Sequence, residues 1–396
     1  MADTLTLTRA TDADVPTLAR IITLAFAGTT EGVTKWLTEH GLQHLRVLRD
    51  GDAIPAMLRR IDMGQYFGGR CVGLMGIAGV GTAPEHRGRG YARRMMEMIV
   101  REAFEQGVPL GGLYASTQAL YRQSGFEQAG HRFLTKIPVV RLVGIGKARH
   151  VVALTEADHP RIEAVYRRYA SLWPGALERA LYGWTRIRKM WDSEYQGFGV
   201  LDEAGELGGY LYLSQTRDAA TGRQELTLSD IAFTSADHAR ALIGLLADFE
   251  PMANTVTIGG GPMHPLVTLL PQQRYEVKLK DYWMLRVINV AKAIEDRGYW
   301  SAVRGGVTLQ VRDDVVPANT GAWRVEIEGG RASAKRGGAG GVGRVACDIK
   351  GLAAMYSGLY TPRQAALLGL CEGDDAGFDV LGAAFAQGTP WMTDHY

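Results

Sequence analysis

Two apolar periods alternate along the first 140 positions. Leu5 and Leu7 alternate with polar neighbours as far as Arg9, the period of a short strand. Val15, Leu18, Ile22 and Ala25 then recur at helical spacing behind an N-cap at Thr11 or Asp12, with Pro16 close to the helix start. Leu45 to Arg49 reads as a strand ending at the Asp50-Gly51 turn, and Ala56 to Met63 returns from it. A longer strand runs from Val72 to Thr82. Apolar residues then step by threes and fours through Ala92, Met95, Met96, Ile99, Val100, Ala103 and Phe104, and Gly107 stops that helix. Pro109 to Ala115 reads as the next strand.

The middle of the chain repeats this order faintly. Gly197–Leu201 and Tyr210–Leu213 flank a hairpin over Asp202–Gly209. LTLSDIAFTSADHARALIGLLADF then has the layout of strand, turn and helix, with a helical face of Ala241, Leu242, Leu245, Leu246 and Phe249. TVTIGGG stands where VPLGGLY stood, and LPQQRYE (Leu270 to Glu276) stands where LYRQSGFE stood, which leaves Pro271 opposite Tyr121. A Tyr/Trp/Arg-rich stretch, Ile162 to Trp191, separates the copies and reads as core or interface. From Tyr282 the pattern changes. WMLRVINVAKAIEDRGY is a strand end followed by a helix capped by Asn289. Alternating strands follow at Val307–Val311 and Trp323–Ile327. A glycine-rich turn lies at Gly337–Arg344, a strand at Cys347–Ile349, and helices around Leu352–Ser357, Pro362–Leu370 and Val380–Phe385. The expected fold is α/β in three units, 1–140, 141–284 and 285–396.

A length of 396 residues exceeds what one core serves, in agreement with three units. A net charge of +2 gives no basic face of the size nucleic acid requires. Cys71, Cys347 and Cys371 are far apart and form no CxxC, so neither a disulfide framework nor a cysteine zinc site is expected. No metal is called for. The N-terminal segment lacks the basic and apolar regions of a secretory signal, and no apolar run approaches the length of a membrane span. A cytoplasmic protein without membrane insertion is the expectation.

The candidate chemistry lies at AGVGTAPEHRGRGYARRMMEMIVREAFEQG. A helix N-terminus carries unpaired N–H groups and a partial positive charge. Gly88 and Gly90 let a phosphate approach the backbone, and Arg87 and Arg89 add formal charge. Such a turn between a strand and a helix suits a diphosphate, although a solvated helix start with a charged surface has the same residues. No GxGxxG follows a first strand, and no GxxxxGK[ST] occurs, so the dinucleotide and P-loop fingerprints are both absent.

Arg87, Gly90 and Ala92 form R-x-x-G-x-A, which resembles the CoA-binding motif of the GNAT acetyltransferase superfamily. Tyr121 followed by Gly125-Phe126 resembles that superfamily's catalytic-tyrosine segment. The second unit resembles a GNAT fold too, but a degenerate one. Asp237-His238-Ala239-Arg240 has no glycine and carries a carboxylate where a phosphate would sit, so like charge repels it. The last unit resembles a sterol-carrier-protein-like (SCP2-like) domain. The three together, with the WMLR segment and the ending PWMTDHY, resemble the enhanced intracellular survival (Eis) type of acetyltransferase over the whole chain.

That resemblance implies acetyl-CoA as co-substrate and a small-molecule amine as acceptor. Val80, Thr82, Arg87, Gly88, Arg89, Gly90, Tyr91, Ala92 and Ser116 would bind the CoA. Tyr121 would protonate the departing thiolate, and the C-terminal carboxylate of Tyr396 would serve as general base. Phe26, Trp36 and Asp394 would contribute to the acceptor pocket. Acidic residues there favour polycationic amines such as aminoglycosides or polyamines, and His395 departs from that pattern. A homo-oligomer, a hexamer in the family, is implied as well. Two other functions compete: a non-catalytic acyl-CoA or lipid-binding protein, and an acetyltransferase acting on protein lysines or N-termini.

Overall fold

A computed structural model describes residues 5–190, 193–337 and 342–396. Trp191 and part of the glycine-rich turn expected at Gly337–Arg344 lie outside the described residues. The first unit runs β1 (Leu5–Arg9), α1 (Val15–Phe26), α2 (Thr30–Glu39), β2 (Leu45–Asp50), β3 (Ala53–Phe67), β4 (Arg70–Thr82), α3 (Tyr91–Glu105), β5 (Leu110–Tyr114), α4 (Gln118–Gln123) and β6 (Glu127–Pro138). The helical stripe read from the sequence is the face that α3 buries. Met95, Met96, Ile99, Val100 and Ala103 are all inaccessible and pack on β2, β3 and β4 residues such as Leu48, Leu58 and Met75.

The middle unit comprises β7 (Val151–Ala153), α5 (His159–Ala170), β8 (Leu177–Glu178), α6 (Leu181–Arg188), the short pair β9 (Lys189–Met190) and β10 (Ser193–Glu194), β11 (Gln196–Leu201), β12 (Leu207–Arg217), β13 (Gln224–Phe233), α7 (Ala236–Ala247), β14 (Ala253–Gly260) and β15 (Glu276–Val287). Both units share one sheet, in the order β1-β2-β3-β4-β5-β15-β6-β14-β13-β12-β11-β7, with β8 attached to β3. Each unit has one parallel pair, β4 with β5 and β13 with β14, and the remaining ladders are antiparallel. The halves exchange their closing strands. β6 crosses to pair with β14, and β15 returns to lie between β5 and β6. The segment Trp283-Met284-Leu285-Arg286-Val287 is buried on both faces there, which is why it lacks the alternation of a half-exposed strand. It runs through the position expected as a unit boundary, 284/285.

The last unit is a five-stranded sheet, β18 (Arg331–Arg336), β17 (Gly321–Glu328), β16 (Gly305–Arg312), β19 (Gly343–Asp348) and β20 (Cys371–Gly373), covered by α8 (Val290–Asp296), α9 (Ile349–Tyr356), α10 (Pro362–Leu367) and α11 (Asp375–Phe385). The strand expected through Ile349 ends one residue earlier. The Asp348 carboxylate accepts from the N–H groups of Lys350 and Gly351 and starts α9 instead. Leu309, Val325, Val345, Leu352 and Phe385 share one apolar core with Trp283, Leu285 and Val287, so this unit is built onto β15. Among the described residues no helix is long and apolar enough to cross a membrane.

A buried ion pair joins β15 to the last unit. Arg286 of β15 donates to both carboxylate oxygens of Asp313 at 2.8 Å, and both side chains are wholly inaccessible. Asp313 also accepts from the N–H groups of Val315 and Val316 and from the Asn319 amide, so its oxygens are saturated. The other arm of Arg286 donates to the Ser124 carbonyl at 2.7 Å, just beyond α4. A Cβ on Gly125 would overlap that guanidinium, which gives the glycine of the Y-x-x-x-G-F segment its physical reason. Asp313→Ala strands a buried charge and should cost about 3–5 kcal/mol, read as a lower urea midpoint, whereas Arg286→Met with Asp313→Leu should recover most of it. An unchanged midpoint for Asp313→Ala would show that the pair is not buried as described.

Candidate active site

The pairing of β4 with β5 stops at Ile77–Leu113, so the end of β4 faces an open notch. On its other side the ladder to β3 shifts register, because Met57 pairs with Gly81 and Arg59 with Ala78. Gly79 and Val80 thus form a bulge that takes them out of the ladder. A cavity of about 410 Å³ opens at this notch, lined by Ile77 to Val80, Ser116, Tyr121, Lys280, Asp281, Phe26 and the last two residues of the chain.

The turn expected to bind diphosphate follows directly from this strand end. Arg87 to Gly90 are exposed, Gly88 and Gly90 have φ of +76° and +79°, and the space beside both Cα atoms is open. No side chain caps the N-terminus of α3, so its N–H groups are not committed to a cap. Tyr91 donates its hydroxyl to Asp50 at 2.6 Å, which ties the helix start to the β2–β3 hairpin, so what Tyr91 offers a phosphate is backbone. Thr82 ends β4 opposite Ala56. Open N–H groups, two left-handed glycines and two exposed arginines fit a CoA diphosphate.

Tyr121 sits on the one-and-a-half-turn helix α4, with its ring edge toward Phe126. It is 5% exposed, and burial pushes its phenol up to about 12. The group therefore stays protonated across the physiological range, as a proton donor must.

The chain end is tied down residue by residue. The Trp391 N–H donates to Pro174, Arg132 donates to the Thr393 carbonyl, the Tyr114 hydroxyl donates to the Asp394 carbonyl at 2.6 Å, and Arg186 donates to the His395 carbonyl at 3.0 Å. Arg179 supplies the strongest tie. Its guanidinium, wholly buried and 3.7 Å over the Tyr166 ring, joins Asp394 at 2.7 Å and Asp230 of β13 at 2.6 Å. The Tyr396 ring enters a socket made by two glycines paired across β4 and β5. A Cβ on Gly76 would sit 3.2 Å from the ring, and one on Gly112 2.7 Å from its hydroxyl. His395 lies beside Tyr114, and burial, then Arg132, pushes its imidazole down to about 4, so the ring is neutral at physiological pH.

A second, smaller cavity of about 100 Å³ lies on the other side of His395 and Tyr396, which line both. Its walls come from α6, β3, β6, β13 and β14, and are mostly apolar. The Ile162–Trp191 stretch, read from the sequence as core or interface, supplies much of this wall through Arg179, Tyr182, Arg186, Ile187 and Met190.

Of the residues expected from the sequence, Val80, Ser116, Tyr121, Phe26 and Tyr396 meet on the larger cavity. Trp36 stands behind it. Its ring would block a Cβ on Gly79, stacks on the Arg59 guanidinium at 4.5 Å and donates to the Tyr182 hydroxyl. Asp394 lines the smaller cavity, but its carboxylate is held by Arg179 and anchors the tail. Gly76, Gly112, Arg132, Arg179 and Arg186 were not singled out from the sequence, because their partners lie in distant segments.

The middle unit keeps the parallel pair β13–β14 and a register shift near Ser229, but the turn before α7 has no glycine. Ser235 caps α7 with its own hydroxyl by accepting from the His238 N–H, so one N–H of the helix start is already taken. Where α4 carries Tyr121, this unit has a short 3₁₀ turn, Pro265–Leu269.

The glycine socket can be tested separately. Gly112→Ala should push the Tyr396 ring out and lower kcat by about tenfold or more, with acetyl-CoA affinity little changed, because a pocket-sited group loses effect when misplaced by ~1 Å. Adding Tyr396→Phe, which removes the obstructed oxygen, should restore part of the rate. Wild-type turnover in Gly112→Ala would contradict the socket.

Comparison with known proteins agrees with this architecture. Residues 6–129 and 175–287 each match an acetyltransferase (GNAT) domain, and residues 290–393 match a sterol carrier protein domain. The crystal structure of a GCN5-related N-acetyltransferase from Anabaena variabilis superimposes with a TM-score of 0.93 at 30% identity, covering 99% of this chain and 100% of that one. A GCN5-related N-acetyltransferase from Kribbella flavida gives a TM-score of 0.84 at 26% identity, over 99% of this chain and 98% of that one. The N-acetyltransferase Eis of Mycobacterium tuberculosis is 27% identical over 98% of this chain and 99% of its own length. With two GNAT units and a sterol carrier unit built onto their shared sheet, the chain belongs to the GCN5-related N-acetyltransferases, in the three-domain arrangement of the Eis type.

Proposed function

We propose that the protein transfers an acetyl group from acetyl-CoA directly to a primary amine, both substrates being bound at once, with Tyr121 as general acid and the C-terminal carboxylate of Tyr396 as general base. One observation carries this reading: Tyr121, the bulged end of β4 and the last residue of the chain line the same cavity. Acetyl-CoA, the acyl donor of this family, supplies a thioester whose carbonyl is open to attack. The turn at Arg87–Ala92 holds the diphosphate through backbone N–H groups, assisted by Arg87 and Arg89. The Val80 N–H, freed from the ladder by the bulge, stabilises the negative charge that develops on the thioester oxygen.

The amine approaches from the side of the smaller cavity and passes its proton to the carboxylate at Tyr396. An α-carboxylate is a weak base in water, with a reference pKa of about 3.5. Its value here lies in being held beside the nucleophile. Tyr121 donates its proton to the sulfur as the carbon–sulfur bond breaks. A thiol of ordinary pKa, about 8.5, is more acidic than the Tyr121 phenol, so the phenol stabilises the developing thiolate chiefly through its hydrogen bond, and the proton passes fully to sulfur only as solvent reprotonates the tyrosine.

A non-catalytic acyl-CoA or lipid carrier would have no use for a buried, protonated phenol on the rim of the CoA notch. Transfer to protein lysines or N-termini uses the same chemistry, and parallel assays on free amines and lysine peptides separate the two. Tyr121→Phe should lower kcat by about 10²- to 10⁴-fold while acetyl-CoA affinity, measured by calorimetry, stays within about threefold. Unchanged turnover in that variant would remove Tyr121 as the acid.

A further inference from the structure

Two of the cysteines, distant in sequence, stand opposite each other in the fold. β20 is an edge strand of the last sheet and pairs with β19 antiparallel, with Val345 opposite Gly373, Ala346 opposite Glu372 and Cys347 opposite Cys371. Residues directly opposed in an antiparallel ladder have Cα atoms about 4.5–5.5 Å apart and side chains on one face, a separation inside the range that a disulfide spans. Both side chains pack against the same apolar core, as do Leu370 and Tyr360. Both are free thiols. Cys371 donates to the Pro362 carbonyl at 3.4 Å, a weak bond. The third cysteine, Cys71, is exposed on β4 of the first unit.

We propose that Cys347 and Cys371 form a reversible redox site, oxidised to an intramolecular disulfide by low-molecular-weight disulfides such as oxidised glutathione. The site is independent of the transfer chemistry above. Burial raises the Cys371 thiol to about 11, and burial, then the neighbouring Cys371 and Asp348, raises that of Cys347 further. Cys371, on the edge strand, is therefore the sulfur that reacts first. Its thiolate attacks one sulfur of glutathione disulfide, forming a mixed disulfide at Cys371 and releasing one glutathione thiolate. The Cys347 thiolate then attacks the Cys371 sulfur and releases the second. The two protein thiols lose two electrons and two protons, and glutathione disulfide takes them up to become two thiols.

The bond closes the chain from Cys347 to Cys371 into a ring that contains α9 and α10. α9 places Ile349, Leu352 and Met355 in the core shared with Leu285 and Val287 of β15. Ile349 also reaches the Tyr121 segment, because a Cβ on Gly125 would come 2.8 Å from its methyl group. The helix lies close on the strand pair: a Cβ on Gly351 would overlap the Leu370 carbonyl and come 3.3 Å from the Cβ of Cys347. β20 is three residues long and has one strand neighbour, so little holds it in the dithiol form. Oxidation ties it to β19 and removes freedom from the opened chain, so this end of the unit opens less often.

The test uses the Cys71→Ser chain, in which two of the three cysteines remain. It is incubated with oxidised glutathione at about pH 8.5 to raise the thiolate fraction, then read by intact mass, thiol titration in denaturant and peptide mapping. The proposal expects both thiols to be lost with a mass decrease of about 2 Da, a linked Cys347–Cys371 peptide, and recovery of both thiols with dithiothreitol. Hydrogen exchange at β20 and α10 should slow by about 100-fold on oxidation. Mapping of the unsubstituted chain, which needs no variant, should show the same link. Two thiols that persist, a stable glutathione adduct at Cys371 beside a free Cys347, or a link between two chains overturns the site. A disulfide that leaves exchange unchanged overturns its stabilising role.

Discussion

The proposed active site depends on where Arg179 puts the end of the chain. This arginine is buried beneath Tyr166 and Trp184, and it holds one carboxylate of the tail, Asp394, and one of the sheet, Asp230. The Tyr210 hydroxyl donates to Asp230 at 2.6 Å, so the triad is bonded into the core of the middle unit. Removing Arg179 would leave two buried carboxylates without their cation, typically a loss of ~3–5 kcal/mol. That is a large share of the ~5–15 kcal/mol that stabilises an ordinary domain. A terminus normally frays. This one is fixed by ionic and backbone ties over its last six residues, and its ring sits in a socket between Gly76 and Gly112.

A second buried arginine does for the segment of Tyr121, the proposed acid, what Arg179 does for the tail. Arg286 grips the end of α4 through the Ser124 carbonyl and is neutralised by Asp313 of the sterol carrier unit. It can reach both because β15 is exchanged into the first unit's sheet, between β5 and β6. The middle unit and the last unit therefore have a structural task in a site whose glycine-bearing turn belongs to the first. One supplies a strand and the wall of the smaller cavity, and the other supplies Asp313 and the tail.

What was legible in the sequence was local. The glycines and arginines of the turn before α3 suit a phosphate because backbone N–H groups, glycine freedom and charge occur within six residues. Tyr121 and Gly125 were readable for the same reason. The loss of that chemistry in the second copy was readable too, although its physical form, a self-capped α7, needed the hydroxyl of Ser235 in place. The arginines were not legible, because each takes its meaning from a partner far along the chain: Arg179 from Asp230 and Asp394, Arg286 from Asp313, Arg132 from Asp281. The aromatic stretch through α5 and α6 is core, as it reads, at Ile162, Tyr166, Tyr169 and Trp184, and its cavity-facing residues were not separable because a cavity wall and a core have the same composition. The run Trp283–Val287 reads as a buried strand, but nothing within it says which neighbours it will take.

The central claim is that the carboxylate of the last residue is the base, delivered by a tail that Arg179 and the glycine socket hold in place. Semisynthesis of the chain with a C-terminal amide tests it most directly, since the charge is removed with almost no change in shape. The account predicts that kcat for the amide falls by about 100-fold or more, with acetyl-CoA affinity and thermal midpoint as in the free acid. An amide-terminated enzyme that turns over as fast as the free acid would contradict it.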